Sequence, residues 1–175
     1  MKSAASHCIA LVGFRASGKS TLGARLAEEL RRPFFDLDRE IELAQGRSVT
    51  ALFRDDSEPA FRRIEAETLA GVIVRPGIVL APGGGAVELA SNRELLRARA
   101  FVVHLDVAVA ELIVRLRNGA ARPRLTGLAF EDEARAVVAR RAPLYRECAD
   151  AVLEVGAGES IETTWTRLGS LLPPA

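Results

Sequence analysis

Lys19 is the first residue in the chain whose type and setting together specify a chemistry. It lies in Gly13-Phe14-Arg15-Ala16-Ser17-Gly18-Lys19-Ser20-Thr21, which fits the pattern G-x-x-x-x-G-K-[ST]. Glycines at 13 and 18 permit tight turns, so successive backbone N–H groups can converge on phosphate oxygens. Lys19 can reach the outer phosphates, and Ser20 can offer its hydroxyl to Mg²⁺. Of the 24 basic residues only Lys2 and Lys19 are lysines. The one internal lysine therefore stands where a compact ammonium suits the task better than a planar guanidinium.

Other chemistry-bearing groups follow. Asp36 and Asp38 close an apolar run, and strand alternation predicts both carboxylates on one side. One can hold Mg²⁺ through water while the other accepts a proton from an attacking hydroxyl; Asp38 as a plain helix cap is the alternative. Phe61-Arg62-Arg63-Ile64-Glu65 sets a guanidinium beside an aromatic ring, suited either to a bidentate carboxylate or to a solvated helix face. Gly83-Gly84-Gly85 permits close approach of a ligand to the backbone, or simply a flexible turn. The polar stretch 118–128 carries Arg122 and Arg124 and reads as a flap bringing an arginine to a transferred group, with a surface loop as the competing reading.

The elements needed to position these groups are legible. Cys8 to Val12 reads as a buried parallel strand, and Leu22, Leu26 and Leu30 recur at helical spacing after the glycine loop. Strand, glycine loop and helix are the context the phosphate motif requires. Further strands are expected at Phe34–Asp38, Ile78–Ala81, Phe101–Leu105 and Ala151–Val155. In a parallel sheet their carboxyl ends face the ligand crevice. Residues 39–74 are helical by pattern, with breaks at Gln45-Gly46 and Asp55-Asp56-Ser57. Ser91-Asn92-Arg93-Glu94 has the form of a capping box, and Asp106 is placed to cap a helix over Val107–Arg117. A long helix is expected from Glu131 to about Glu147. The final helix carries an apolar stripe of Ile161, Trp165, Leu168, Leu171 and Leu172, which makes Trp165 a packing residue. His104 reads as a core or edge histidine. The expected fold is α/β: a three-layer, five-stranded parallel sheet flanked by helices, within one domain spanning 1–175.

Composition limits the function classes. A net charge of +1 gives no general attraction to nucleic acid or an anionic membrane, and no apolar run approaches the roughly 20 residues that span a bilayer. Two cysteines, Cys8 and Cys148, form no disulfide framework, and Met1 to Ser6 lacks the form of a secretory signal. A cytoplasmic protein is the expectation.

Taken in order, these segments resemble the shikimate kinase family across essentially the whole chain. The resemblance is carried by Gly18-Lys19-Ser20-Thr21, Asp36-Leu37-Asp38, Phe61 to Glu65, Gly83-Gly84-Gly85-Ala86-Val87, Arg122-Pro123 and Arg141-Ala142-Pro143-Leu144-Tyr145. It implies ATP-dependent phosphorylation of the 3-hydroxyl of shikimate on the route to chorismate and the aromatic amino acids. It also implies a monomeric P-loop, nucleoside-monophosphate-kinase-like fold, with a substrate-binding helical segment at about 39–74 and a lid at about 118–128. By that resemblance Asp38 orients and deprotonates the hydroxyl, while Lys19 and Arg122 act on the phosphates. Ala16, Ser17, Gly18, Ser20, Thr21 and Arg115 complete the ATP site, with Arg115 against adenine. Arg62 and Arg141 clamp the shikimate carboxylate, Glu65 holds Arg62, and Phe53 and Phe61 wall the ring. Gly83 and Gly84 meet the substrate through their backbone. Ser20 binds Mg²⁺ directly and Asp36 through water.

Some positions depart from the family pattern. Ala16 stands where a third glycine is common, Arg124 where leucine is usual, and Ala81-Pro82 carries no hydroxyl before the glycine triplet. Val155-Gly156-Ala157-Gly158 replaces the usual adenine-side loop. Two other readings compete. A related small-molecule kinase, such as a gluconate kinase, would share the phosphate loop without needing both arginine motifs. A non-catalytic nucleotide-binding module would be expected to lose Lys19 or Asp38. The guanine motif Asn-Lys-x-Asp is absent.

Overall fold

The computed structural model describes residues 8–118 and 130–173. Five strands form one parallel sheet: β1 (Cys8–Val12), β2 (Phe34–Asp36), β3 (Val79–Ala81), β4 (Ala100–Val107) and β5 (Ala151–Val155), in the order β2-β3-β1-β4-β5. Register is set by pairs such as Ile9 with Val79 and Val12 with His104.

Every residue of β1 is buried, so both faces of the central strand must be covered by apolar side chains. Alternation divides them. Cys8, Ala10 and Val12 join a cluster with Leu37, Ile41, Leu69 and Tyr145 on one face. Ile9 packs with Leu26 and Val79, and Leu11 with Leu22 and Leu168, on the other. The first face is covered by helices α2 (Leu37–Gln45), α4 (Glu58–Ile73), α5 (Ala90–Arg99) and α7 (Phe130–Cys148). The second is covered by α1 (Lys19–Leu30) and α8 (Ile161–Leu171). Helices α3 (Val49–Asp55) and α6 (Val109–Asn118) complete the layers.

The breaks expected at Gln45-Gly46 and Asp55-Asp56-Ser57 separate α2, α3 and α4. Gly46 ends α2 in the left-handed conformation, and Ser57 caps α4 by accepting from the Ala60 N–H. Both cysteines are buried, and desolvation pushes their thiols up to about 12 for Cys8 and about 11 for Cys148, as befits small core residues.

Four local expectations give way. Strand β2 ends at Asp36, so Asp38 lies in the first turn of α2 and the two carboxylates are not related by strand alternation. Helix α5 starts at Ala90 with no side-chain cap. The Asn92 amide instead donates to the Ala86 carbonyl at 2.9 Å, tying the helix to the turn before it. Strand β4 runs on to Val107 under its pairing with Val155, and Asp106 takes Arg146 as its partner at 2.7 Å rather than capping α6. Ile161 opens α8 exposed at 43%, outside the apolar stripe. His104 is a core residue on an inner strand: it is buried and its ring stacks on Tyr145 at 4.9 Å between centroids.

Candidate active site

The sheet order places the turns after β1 and β3 side by side at the carboxyl edge. The first of these is the phosphate loop. Gly13 takes φ +152°, and a Cβ there would stand 2.8 Å from the Leu105 carbonyl oxygen; Gly18, at φ +96°, caps α1. Ala16 adopts φ 63°. A β-carbon in that left-handed region costs about 1–2 kcal/mol relative to glycine, so the alanine strains the loop where glycine would not. Lys19 is nearly buried, and its ammonium donates to the carbonyls of Gly13 (3.0 Å) and Phe14 (2.9 Å). The Ser17 side chain is also buried, and its hydroxyl has no hydrogen-bond partner among the described residues.

This loop lines a cleft of about 950 Å³. Ala16, Gly18, Lys19, Ser20 and Thr21 line it together with Asp36, Asp38, Gly83, Gly84 and Arg115. Arg115 is anchored by Glu111 at 2.8 Å and reaches the Ala16 carbonyl at 3.4 Å. Asp36 serves two elements. One carboxylate oxygen accepts the Ser20 hydroxyl, while the other accepts the N–H groups of Asp38 and Arg39 and so caps α2.

A smaller cavity of about 70 Å³ adjoins it, lined by Phe53, Phe61, Arg62, Glu65 and Arg141. The two cavities share Arg15, Asp38, Gly83 and Gly84. Arg62 and Glu65 lie one turn apart on the buried face of α4, with an Arg62–Glu65 hydrogen bond of 2.7 Å; Glu58 takes the other terminal nitrogen at 3.1 Å. Burial pushes the Glu65 carboxyl up, against the lowering pull of Arg62. Phe53 and Phe61 stand 4.2 Å apart between ring centroids and both flank the Arg62 guanidinium. Arg141, from α7, donates through Nε to Glu88 at 2.6 Å. Burial raises the Glu88 carboxyl, but the ion pairs with Arg141 and Arg140 prevail and hold it below its ordinary value.

The first and last glycines of the triplet are crowded by the site's own side chains. A Cβ at Gly83 would stand 2.6 Å from a Glu65 carboxylate oxygen and 2.9 Å from one of Asp38, and a Cβ at Gly85 would collide with the Arg62 guanidinium. The Tyr145 hydroxyl donates to the Gly84 carbonyl at 2.5 Å and fixes the turn against α7.

Of the residues expected at the site, those from the phosphate loop, β2–α2, α3–α4, the glycine turn, α6 and α7 converge on these two cavities, except Ser17, which is buried and lines neither. Arg122 and Arg124 lie outside the described residues. Arg15, Glu58, Glu88 and Tyr145 also belong to the site but had no assigned role. The phosphate motif leaves position 15 unconstrained. The two glutamates reveal themselves only through the arginines they meet in space.

The sequence model of the family described as shikimate kinase matches residues 15–167. A shikimate kinase of Pseudomonas syringae pv. tomato is 44% identical over 147 residues, covering 82% of this chain and 84% of the relative. One from Bordetella pertussis is 42% identical over 149 residues, covering 85% of this chain and 71% of the relative. Among solved structures, a shikimate kinase from Acinetobacter baumannii in complex with shikimate superposes with a TM-score of 0.84 at 36% identity, covering 94% of this chain and 92% of that one. A deoxyadenosine kinase from M. mycoides shares the fold at a TM-score of 0.60 and 13% identity. Phosphate loop, parallel sheet and two joined cavities thus sit in a P-loop kinase fold, and the chain belongs to the shikimate kinase family.

Proposed function

We propose that this chain transfers the γ-phosphoryl group of ATP to the 3-hydroxyl of shikimate, with Asp38 at the junction of the two subsites. Family membership makes it an ATP-dependent kinase with an alcohol acceptor. The observation that supports the assignment of roles is the sharing of Asp38, Gly83 and Gly84 by both cavities. Acceptor and donor then meet at a single carboxylate. Asp38 orients the attacking hydroxyl and takes its proton as the new O–P bond forms. Arg62 and Arg141 receive the acceptor's carboxylate, with Glu65 and Glu88 holding them in place. Phe53 and Phe61 wall the ring. Lys19 leaves the loop carbonyls to meet the phosphates, and the loop N–H groups neutralise charge spread over the phosphoryl oxygens. Arg115 lies on the nucleotide side, and Arg122 adds a cation from the segment 118–128.

Magnesium fits the cleft. The Ser20 hydroxyl and the Asp36 carboxylate are in hydrogen-bond contact beside Lys19, and among the described residues no cluster of three or more His, Cys, Asp or Glu offers a fuller cage. A hard cation that keeps several waters and draws ligands from phosphate needs only such a pair. When bound it supplies charge neutralisation at the β- and γ-oxygens. No helix among the described residues is long and apolar enough to cross a membrane. The proposed enzyme is a cytoplasmic, single-domain monomer.

The test is ADP release against shikimate, quinate, gluconate, a nucleoside monophosphate and no acceptor. Release dependent on shikimate is expected. Preference for gluconate would favour a sister kinase, and release independent of any acceptor would remove the carboxylate clamp.

A further inference from the structure

Among the described residues, Arg15 is the only cation that lines both cavities; the residues it shares them with are a carboxylate and two glycines. It occupies an unconstrained position of the phosphate loop, and its backbone nitrogen packs 3.2 Å from where a Cβ at Gly84 would stand. Arg15 thus stands against the glycine turn that both cavities share, with its guanidinium over the Phe14 ring at 5.6 Å. Glu133, in the first turn of α7 and only 1% exposed, faces Arg15 with 3.7 Å between Nη2 and Oε1. That separation exceeds a hydrogen bond. The pairing supplies an electrostatic restraint on the guanidinium without the fixed geometry of a fork-to-fork contact.

We propose that Arg15 is a further phosphoryl-binding residue of this kinase, facing the transferred group itself, and that Glu133 is its positioning residue. The inference rests on the kinase reading above for its acceptor but not for its nucleotide. Lys19 and the loop N–H groups serve the phosphates from the larger cleft, and Arg62 and Arg141 serve the acceptor from the smaller one. A cation bordering both neutralises charge at the point of transfer, where the in-line transition state spreads it over the equatorial oxygens.

Binding and turnover in magnesium-containing buffer test this, with Arg15→Met, Arg15→Lys, Glu133→Gln and the double variant Arg15→Met/Glu133→Gln compared with the parent chain. ADP lacks the transferred group, so Arg15→Met should bind ADP within about 2-fold of the parent yet lose at least ~5-fold in affinity for a non-hydrolysable ATP analogue. Its kcat should fall at least ~10-fold while KM for the acceptor moves less than ~3-fold. Arg15→Lys should recover most of the loss, because a point charge still reaches the phosphoryl oxygens. Glu133→Gln should lower kcat several-fold, and the double variant should be no worse than Arg15→Met alone, as expected of residues acting through one another. An unchanged ratio of ATP-analogue to ADP affinity in Arg15→Met overturns the phosphoryl assignment. Additive losses in the double variant overturn the positioning role. If the parent binds both nucleotides but releases no ADP with shikimate, the acceptor assignment fails, and the nucleotide ratio still decides the role of Arg15.

Discussion

Arg62 carries more competing contacts than a simple clamp would. Its terminal nitrogens already meet Glu65 and Glu58, the first buried and the second half in solvent. An incoming carboxylate displaces the exposed partner far more cheaply than the buried one, since an exposed ion pair contributes little. Arg62→Lys keeps the charge but loses the fork, so KM for shikimate should rise about 10- to 100-fold with a smaller change in kcat, measured under saturating ATP. Asp38→Asn should show the opposite split. The amide retains a hydrogen-bonding oxygen but cannot accept the hydroxyl proton, so kcat should fall at least ~100-fold with KM within a few-fold. At this scale residue types were readable from the chain, because Gly-Lys-Ser, Asp-x-Asp and Phe-Arg-x-x-Glu each restrict a chemistry. Their partners were not. Glu88 is an unremarkable acid until the fold brings α7 across the glycine turn and Arg141 reaches it.

Elements place these groups through short turns at neighbouring strand ends. The glycine triplet after β3 is the tightest of them, pressed between Asp38, Glu65 and Arg62. Gly83→Ala forces a methyl to within 2.6 Å of a Glu65 oxygen and 2.9 Å of an Asp38 oxygen. Both carboxylates border the cavity, so the displacement should raise KM for shikimate and lower kcat together, by about 10-fold or more each, with only a modest loss of thermal stability. The strands and most helices followed from periodicity: β1 announces itself by a fully apolar run, and the three segments within 39–74 by their Gly and Ser punctuation. The caps were less legible. Asn92 sits inside the expected capping box, yet its amide is drawn to the Ala86 carbonyl because the preceding 3-10 turn (Ala86–Glu88) comes within reach. Asp106 was claimed by Arg146 from a helix 40 residues away. Such choices are made by tertiary neighbours that no local pattern records.

The whole molecule adds a pH term that lies outside the chemistry. His104 is sealed between the sheet and α7, stacked on Tyr145, with its Nδ1 lacking a hydrogen-bond partner among the described residues. Desolvation lowers its pKa to about 4; Asp106 opposes this, and Arg146 and Lys19 reinforce it. Between the unfolded value near 6.5 and the folded value near 4 the unfolded chain binds the extra proton. Stability therefore rises with pH in that window and is lost as pH falls through it, by up to about 3 kcal/mol. His104→Phe keeps a ring against Tyr145 and removes the titration, so its thermal midpoint should fall less than that of the parent between pH 6.5 and 4.5, as followed by circular dichroism. At this level the architecture was legible in advance, since one central strand apolar on both faces demands two helical layers.

The doubly engaged carboxylate of Asp36 means that the root of α2 and the hydroxyl of Ser20, the proposed magnesium ligand, are strung on one side chain. Damage there propagates in two directions at once. Asp36→Ala should unravel the first turn of α2 as well as weaken metal binding, lowering the melting temperature and raising the magnesium requirement together. Asp36→Asn, which leaves an oxygen for the helix N–H groups, should raise the magnesium requirement with little effect on melting. Titrating activity and thermal midpoint of both variants against magnesium separates the strut from the ligand.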